Sequence, residues 1–363
     1  AKEKPEATIE LPPFEEVARD KGAFIEMFHT FYRNNDPLTA EGLCQQQDTR
    51  YLVQNPPALA LTQQELDAVY GIDFERAQHP FYEELGPVKA LETIRFSLAT
   101  HRGCYGECNF CSIAVHQGRT VRWRSEASVE REAAHLAQLP DFKGYIQDVG
   151  GPTANMYGFE CKKKTSQGSC ADKRCLYPEI CPQMEVDHGK QRALLKRLRG
   201  IKGVKKVFVA SGIRYDLVLA DQKHGLRYLS DVVRHHTSGQ MKVAPEHTQD
   251  HVLHRMGKPG TGILVRFRDL FTKLTKEARR EQYLTYYLIA AHPGCTERDM
   301  QALKQFASRH LKINPRQVQI FTPTPSTYSS LMYYTEMDPF TGKKLFVEKD
   351  PVKKERQKSI LVR

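Results

Sequence analysis

The chain has 363 residues, 40% of them hydrophobic, and a mean hydropathy of −0.56. No apolar run approaches the thickness of a bilayer, and the acidic, polar start is no signal peptide, so a membrane-spanning class is excluded and a cytoplasmic protein is expected. The net charge of +11 is uneven: residues 1–92 carry 8 Lys/Arg against 17 Asp/Glu, whereas residues 161–206 carry 13 against 4. Nine cysteines without a secretion signal point to a reducing compartment, where clustered thiols bind metal more often than they pair. The length suits one large α/β barrel with extensions, or two domains.

In chain order, residues 1–90 show little strand periodicity and read as an acidic linking or wrapping segment. Phe14 to Tyr32 has helical spacing of apolar residues and stops at Asn34-Asn35-Asp36-Pro37. Thr62 and Glu65 form a capping-box pattern for a helix over Leu66 to Tyr70. Glu92 to Thr100 reads as the first strand, with Ile94, Phe96 and Leu98 alternating.

The densest chemistry follows at once, in Cys104-Tyr105-Gly106-Glu107-Cys108-Asn109-Phe110-Cys111. Three thiolates spaced C-x3-C-x2-C at a strand's end suit an iron–sulfur cluster. A [4Fe–4S] cube with three protein ligands leaves one iron open for chemistry, as an open position does on zinc. Gly103 and Gly106 allow a close backbone bend, and Phe110 shields one side. A zinc site with His101 or His116 as fourth ligand is the alternative, and the spacing favours the cluster.

Ser125 then caps a helix with an acidic first turn. Further strands are expected over 144–149, 206–211, 241–244, 284–290 and 318–321, with helices between them, for example over 191–199 and 297–310. Six strand–helix units predict a parallel, barrel-like sheet whose site lies at the strands' C-terminal ends. Cys161, Cys170, Cys175 and Cys181 lie in a Lys-, Gly- and Ser-rich insertion spanning 158–190. They suggest an auxiliary iron–sulfur cluster or a structural zinc site. Cys44 and Cys295 read as small buried residues. The run Lys353-Lys354-Glu355-Arg356-Gln357-Lys358 gives 336–363 the look of a basic tail, and both ends read as cut from something longer.

The stretch 104–111, with Asp-Val-Gly-Gly-Pro-Thr-Ala-Asn-Met-Tyr (148–157), Ala-Ser-Gly-Ile-Arg-Tyr-Asp-Leu (210–217), Lys-Val-Ala-Pro-Glu-His-Thr (242–248), Ala-Ala-His-Pro-Gly (290–294) and Met-Tyr-Tyr-Thr (332–335), resembles the YgiQ-type radical S-adenosylmethionine (SAM) proteins. The resemblance implies an α/β fold, a partial (β/α)6 radical SAM barrel over about 91–335 with the N-terminal wrapping segment. It implies that Cys104, Cys108 and Cys111 ligate a [4Fe–4S] cluster whose open iron chelates SAM. Gly150 and Gly151 take the place of the superfamily's Gly-Gly-Glu motif, with Pro152 where Glu is usual. Ser211 and Arg214 fit ribose and carboxylate contacts, Arg offering a bidentate fork. Glu246 and His247 would meet ribose or substrate, and Ala290 to Gly294, with Pro293, would pack by adenine. A structural ion pair at the barrel mouth is the plain alternative for Arg214 and Glu246. A flavodoxin- or ferredoxin-like reductant is the implied partner. Members often carry a further cobalamin-domain-like region, which does not fall within these residues. An RNA-binding or RNA-modifying iron–sulfur protein, docking through 161–206, and a non-catalytic metal-binding scaffold are the rival readings.

Overall fold

The structure is a computed structural model that describes residues 1–315 and 318–362. At its centre six short strands run parallel in chain order. Ser97–Ala99 pairs with Asp148–Gly150, and Tyr145–Ile146 pairs with Lys206–Val207. A parallel bridge from Ile213 to Val243 links that third strand segment to Gln240–Glu246. The latter pairs with Tyr283–Ala290, which pairs with Gln319–Ile320. Among the described residues no pairing joins the sixth strand to the first, so the sheet is an open, partial barrel. Val149, Val207, Val243 and Leu288 of the strands share one buried core with Leu194, Leu198, Phe267 and Leu303 of the helices. Branched residues at alternate positions put one row inward, and the crossover helices cover the other face.

Four expectations need correction, the last of them in the Phe14–Tyr32 helix. The first strand begins later than expected: Lys89–Ile94 is helical, and Ile94 is exposed, so only Leu98 of the expected row is fully inside. The N-terminal segment contains a sheet that period-2 reasoning passed over. Thr8–Leu11 lies parallel to Gly42–Gln47, which turns back antiparallel onto Arg50–Gln54. Its run of glutamines carries no alternation, and Leu43 and Cys44 alone are buried in it. The basic C-terminal residues are not a bare tail. Pro351–Val362 is a helix, and Arg363 lies outside the described residues. Its Gln357 is buried, accepting from the Ala291 amide at 3.1 Å and donating to the Cys295 carbonyl at 3.4 Å.

The caps read from sequence are formed. Thr62 and Glu65 make a reciprocal capping box, and the Ser125 hydroxyl accepts from the Ser128 amide at 3.1 Å. The expected Phe14–Tyr32 helix is two, Phe14–Arg19 and Lys21–Arg33, because Asp20 interrupts it and caps the second. Arg124 ties the N-terminal segment to the barrel. It is fully buried, donates to the Ala99 carbonyl at 2.9 Å, pairs with Glu132, and lies over the Tyr70 ring at 4.2 Å. Removing one partner of a buried ion pair typically costs about 3–5 kcal/mol. Arg124→Met should therefore lower the urea midpoint strongly, while Lys4→Met, from an exposed pair with Glu10, should leave it in place.

Burial also holds His236 neutral, with a pKa pushed down to about 4, while its Nδ1 lies 2.8 Å from the Val207 carbonyl. The unfolded chain binds a proton there below about pH 6.5, and the folded chain does not until about pH 4. Stability should thus fall as pH drops through that window. His236→Gln should remove roughly 3 kcal/mol of that pH dependence, read from urea unfolding at pH 7 and pH 4.

Candidate metal centre

The loop 104–111 leaves the first strand's C-terminal end and is held from outside by polar bonds. The Asn109 amide donates to the Met256 carbonyl at 2.9 Å, and its side chain donates to the Arg255 carbonyl at 2.8 Å. The Asn109 carbonyl accepts from the Ser329 amide at 2.8 Å. Glu107 turns through a left-handed φ of 45°, and its buried carboxylate meets Lys164 at 3.0 Å and Arg119 at 3.5 Å. Arg174 donates to the Glu107 carbonyl at 3.1 Å. The cation-bearing insertion thus grips the cysteine loop.

Inside the loop the Gly106 amide donates to Cys104 Sγ at 3.3 Å. A Cβ at Gly106 would stand 2.8 Å from Arg214 Nη1, 3.2 Å from Cys104 Sγ and 3.7 Å from Cys108 Sγ. Glycine therefore leaves a cradle between two sulfurs and a guanidinium. Arg214 Nη1 lies 3.9 Å from Cys108 Sγ. Burial opposes the guanidinium charge, but Asp216, then Cys108 and Cys104, outweigh it and raise its pKa. Burial pushes the Cys104 thiol up, and pushes Cys111 up to about 11, with the other cysteines and Glu246 adding to it. The alternative of an ion pair across the barrel mouth gives way to a local one: Arg214 Nε donates to Asp216 Oδ1 at 2.9 Å. Asn155 fixes the Arg214 backbone at both ends, with bonds of 2.8 and 3.0 Å.

The remaining expected site residues divide. Glu246 is buried at a left-handed φ of 67°; burial pushes its carboxyl up, against Lys258 and Arg214. Gly150 lies beside Ser211, whose hydroxyl is committed to Asp148 and whose amide donates to Asp148 at 3.1 Å. A Cβ at Gly151 would come within 2.6 Å of His101 Nε2, so the His101 ring covers that glycine. Burial holds His101 neutral, its pKa pushed down to about 4. Phe110 is half-buried, and its carbonyl accepts from Thr324 at 2.8 Å. His247 faces inward instead: it is fully buried, with Nε2 3.6 Å from Cys295 Sγ. Ala290 is a core residue, and the Pro293 carbonyl lies 2.9 Å from His292 Nδ1. Asp216, Asn155 and His101 are the polar groups whose placement beside these residues the sequence reading passed over.

Among the described residues no three His, Cys, Asp or Glu side chains gather at single-ion spacing. His116 is exposed, and His101 packs on Gly151 rather than on the sulfurs, so the four-ligand zinc arrangement is not formed. Three free thiols, a glycine cradle and a facing cation fit a group larger than one ion, and a [4Fe–4S] cluster has that character. In the insertion, Cys161, Cys175 and Cys181 pack in one apolar cluster with Tyr105, against which Cys104 also packs. Lys164 Nζ lies 3.6 Å from Cys175 Sγ. All nine cysteines are free, and Cys44 and Cys295 are buried.

Gly106→Ala forces Arg214 or Cys104 to move, and Asp216 pins the former. The variant should retain less iron than the native chain after anaerobic reconstitution, with unchanged far-ultraviolet circular dichroism. Gly262→Ala, whose Cβ meets nothing within 4 Å, should retain the native amount.

The family model described as radical SAM N-terminal matches residues 1–97. A UPF0313 protein of Fusobacterium nucleatum subsp. nucleatum is 56% identical over 361 residues, covering 99% of this chain and 64% of that protein. A UPF0313 protein of Methanosarcina acetivorans is 47% identical over 353 residues, covering 97% of this chain and 47% of its own. The chain thus spans less than two thirds of the length of these curated relatives. Among solved structures, the radical SAM methyltransferase TsrM of Kitasatospora setae, with cobalamin and a [4Fe–4S] cluster bound, is 15% identical at a TM-score of 0.45, covering 80% of this chain and 49% of that one.

Proposed function

We propose that the chain is a YgiQ-type radical SAM enzyme, a reading that its similarity to the radical SAM N-terminal model and to the UPF0313 proteins supports. Cys104, Cys108 and Cys111 would hold the [4Fe–4S] cluster. When bound, the cluster supplies the electron that cleaves SAM to methionine and a 5′-deoxyadenosyl radical. The observation that carries the reading is the cradle at Gly106, where Arg214 faces the sulfurs of Cys104 and Cys108.

The chain's own residues hold and shield. Asp216 fixes the Arg214 fork, so one nitrogen of it stays free to meet an anionic group beside the sulfurs. Asp148 orients Ser211 beside Gly150, which supports a polar wall for a ribose. Glu246, at the fourth strand's end, is the polar group we assign toward substrate. His247, Ala290 and Pro293 serve as packing behind that wall. A flavodoxin- or ferredoxin-like protein is the proposed reductant.

We assign the insertion's cysteines to a second metal group, supported by the shared packing of Cys161, Cys175 and Cys181 beside the first loop. Iron, sulfide and zinc per chain after anaerobic purification test both assignments. About four irons, lost in Cys108→Ala, are expected for one cluster. About eight, half retained in that variant, make the second group a cluster of the same kind. Zinc alone overturns the enzyme reading, as does a loaded protein that never yields 5′-deoxyadenosine with any reductant.

A further inference from the structure

The positive charge of residues 161–206 does not form one surface. The insertion's share is partly engaged locally: Lys164 is buried on Glu107, Arg174 donates to the Glu107 carbonyl at 3.1 Å, and the exposed Lys162 pairs with Glu185 at 3.1 Å. The rest gathers at the opposite end of the barrel. Arg199 ends the helix Gly189–Arg199, and Lys202, Lys205 and Lys206 lead into the third strand. Arg234 lies on the turn Val232–His236, which hydrogen-bonds to that strand through His236 and Val207 at 2.8 Å. Arg280 joins them by donating to the Arg234 carbonyl at 3.3 Å. All six are exposed, and among the described residues none of the six forms an ion pair. Partial burial, then Arg199, Arg234 and Arg280, hold the pKa of His235 down, as crowded unpaired cations do.

The nearby carboxylates are engaged elsewhere. Asp231 takes Arg192 at 2.8 Å, Glu126 and Glu130 take Arg197, Glu277 takes Lys273, and Glu281 accepts from Tyr283 at 2.6 Å. A cleft of about 690 Å³ opens between the helix and the turn, lined by Lys196, Arg199 and His235. Tyr145 stands in register with Lys206, with one ring face stacked on Phe208 at 6.4 Å, and remains 47% exposed.

We propose that this N-terminal rim of the barrel is a docking face for single-stranded nucleic acid. Unpaired cations along a track meet phosphates, and an exposed ring beside them offers a stacking platform to a base. The rim also says something about the ligand's size. The fourth strand, Gln240–Glu246, separates it from the cysteine end. At about 3.3 Å per residue that is roughly 20 Å. A small anion held at the rim stays far from the sulfurs, whereas a polymer can touch both ends. The inference stands apart from the proposed reaction, because binding is read without turnover.

The test is fluorescence anisotropy of labelled 20-nucleotide RNA and DNA single strands, with the anaerobically purified full chain, between 50 and 300 mM salt. Binding should weaken with salt at a log–log slope near −4 for about six contacts. Lys202→Gln with Lys205→Gln and Lys206→Gln should weaken binding about tenfold or more at low salt and shrink the slope by about 2. Arg199→Gln with Arg234→Gln and Arg280→Gln serves as an independent set should the first misfold by circular dichroism. Tyr145→Ala should cost about fivefold or more without changing the slope. Lys162→Gln with Lys163→Gln in the insertion should change neither. A preference between the two strands would identify the source of the phosphates. The proposal falls if neither strand binds at 50 mM salt, if the insertion pair weakens binding as much as the rim sets do, or if phosphatidylserine vesicles bind while both strands do not.

Discussion

A single buried carboxylate holds the site together. Glu107 lies between Cys104 and Cys108, in a backbone conformation that L residues rarely adopt, with φ at 45°. Its side chain meets Lys164 and Arg119, both buried, and its carbonyl meets Arg174. Without it, two cations would be stranded inside the protein, which is among the most destabilising single changes a fold can suffer. Burial opposes the Lys164 charge, and Glu107 together with Cys175 more than offsets it. The cysteine loop, its flanking arm and the insertion are therefore one cooperative unit rather than three neighbours.

Three of the ten described non-glycine residues with positive φ fall at this end of the barrel: Glu107 in the cysteine loop, Glu246 at the end of the fourth strand and Ala291 just past the fifth. Such strain persists only where surroundings over-determine it, and it concentrates at working sites. The same rim holds Arg214, locked by Asp216 and Asn155, so a cation faces the sulfurs without freedom to turn away. The opposite rim carries its cations unlocked and solvated. One end holds its cation in a fixed geometry, and the other presents its cations to solvent, where salt screens them.

Much of this was legible in the residues. The order of six branched runs marks a parallel sheet, and three closely spaced cysteines mark the candidate site, because each signal is carried by a short stretch of sequence. Caps at Thr62 and Ser125 are equally local. What escaped was what only the fold brings together. Asp216 takes Arg214 from two residues away, yet nothing in Arg-Tyr-Asp says whether that pair or a cross-barrel pair forms. His247 resembles a site residue by following Glu246, but a positive φ at Glu246 goes with a ring that faces Cys295. The glutamine strand Gly42–Gln47 lacks alternation because partners on both sides, not a buried face, hold it in place. The basic run could be counted but not divided between the interior and the far rim.

The central claim is a cluster with one iron free of protein thiolates, beside Arg214. Electron paramagnetic resonance of the chemically reduced protein, recorded with and without SAM, tests it most directly. The account predicts a reduced-cluster signal that changes when SAM is added, and that disappears from this site in Cys108→Ala. A cluster signal that SAM leaves unaltered would contradict it, because every iron would then already be closed to the substrate.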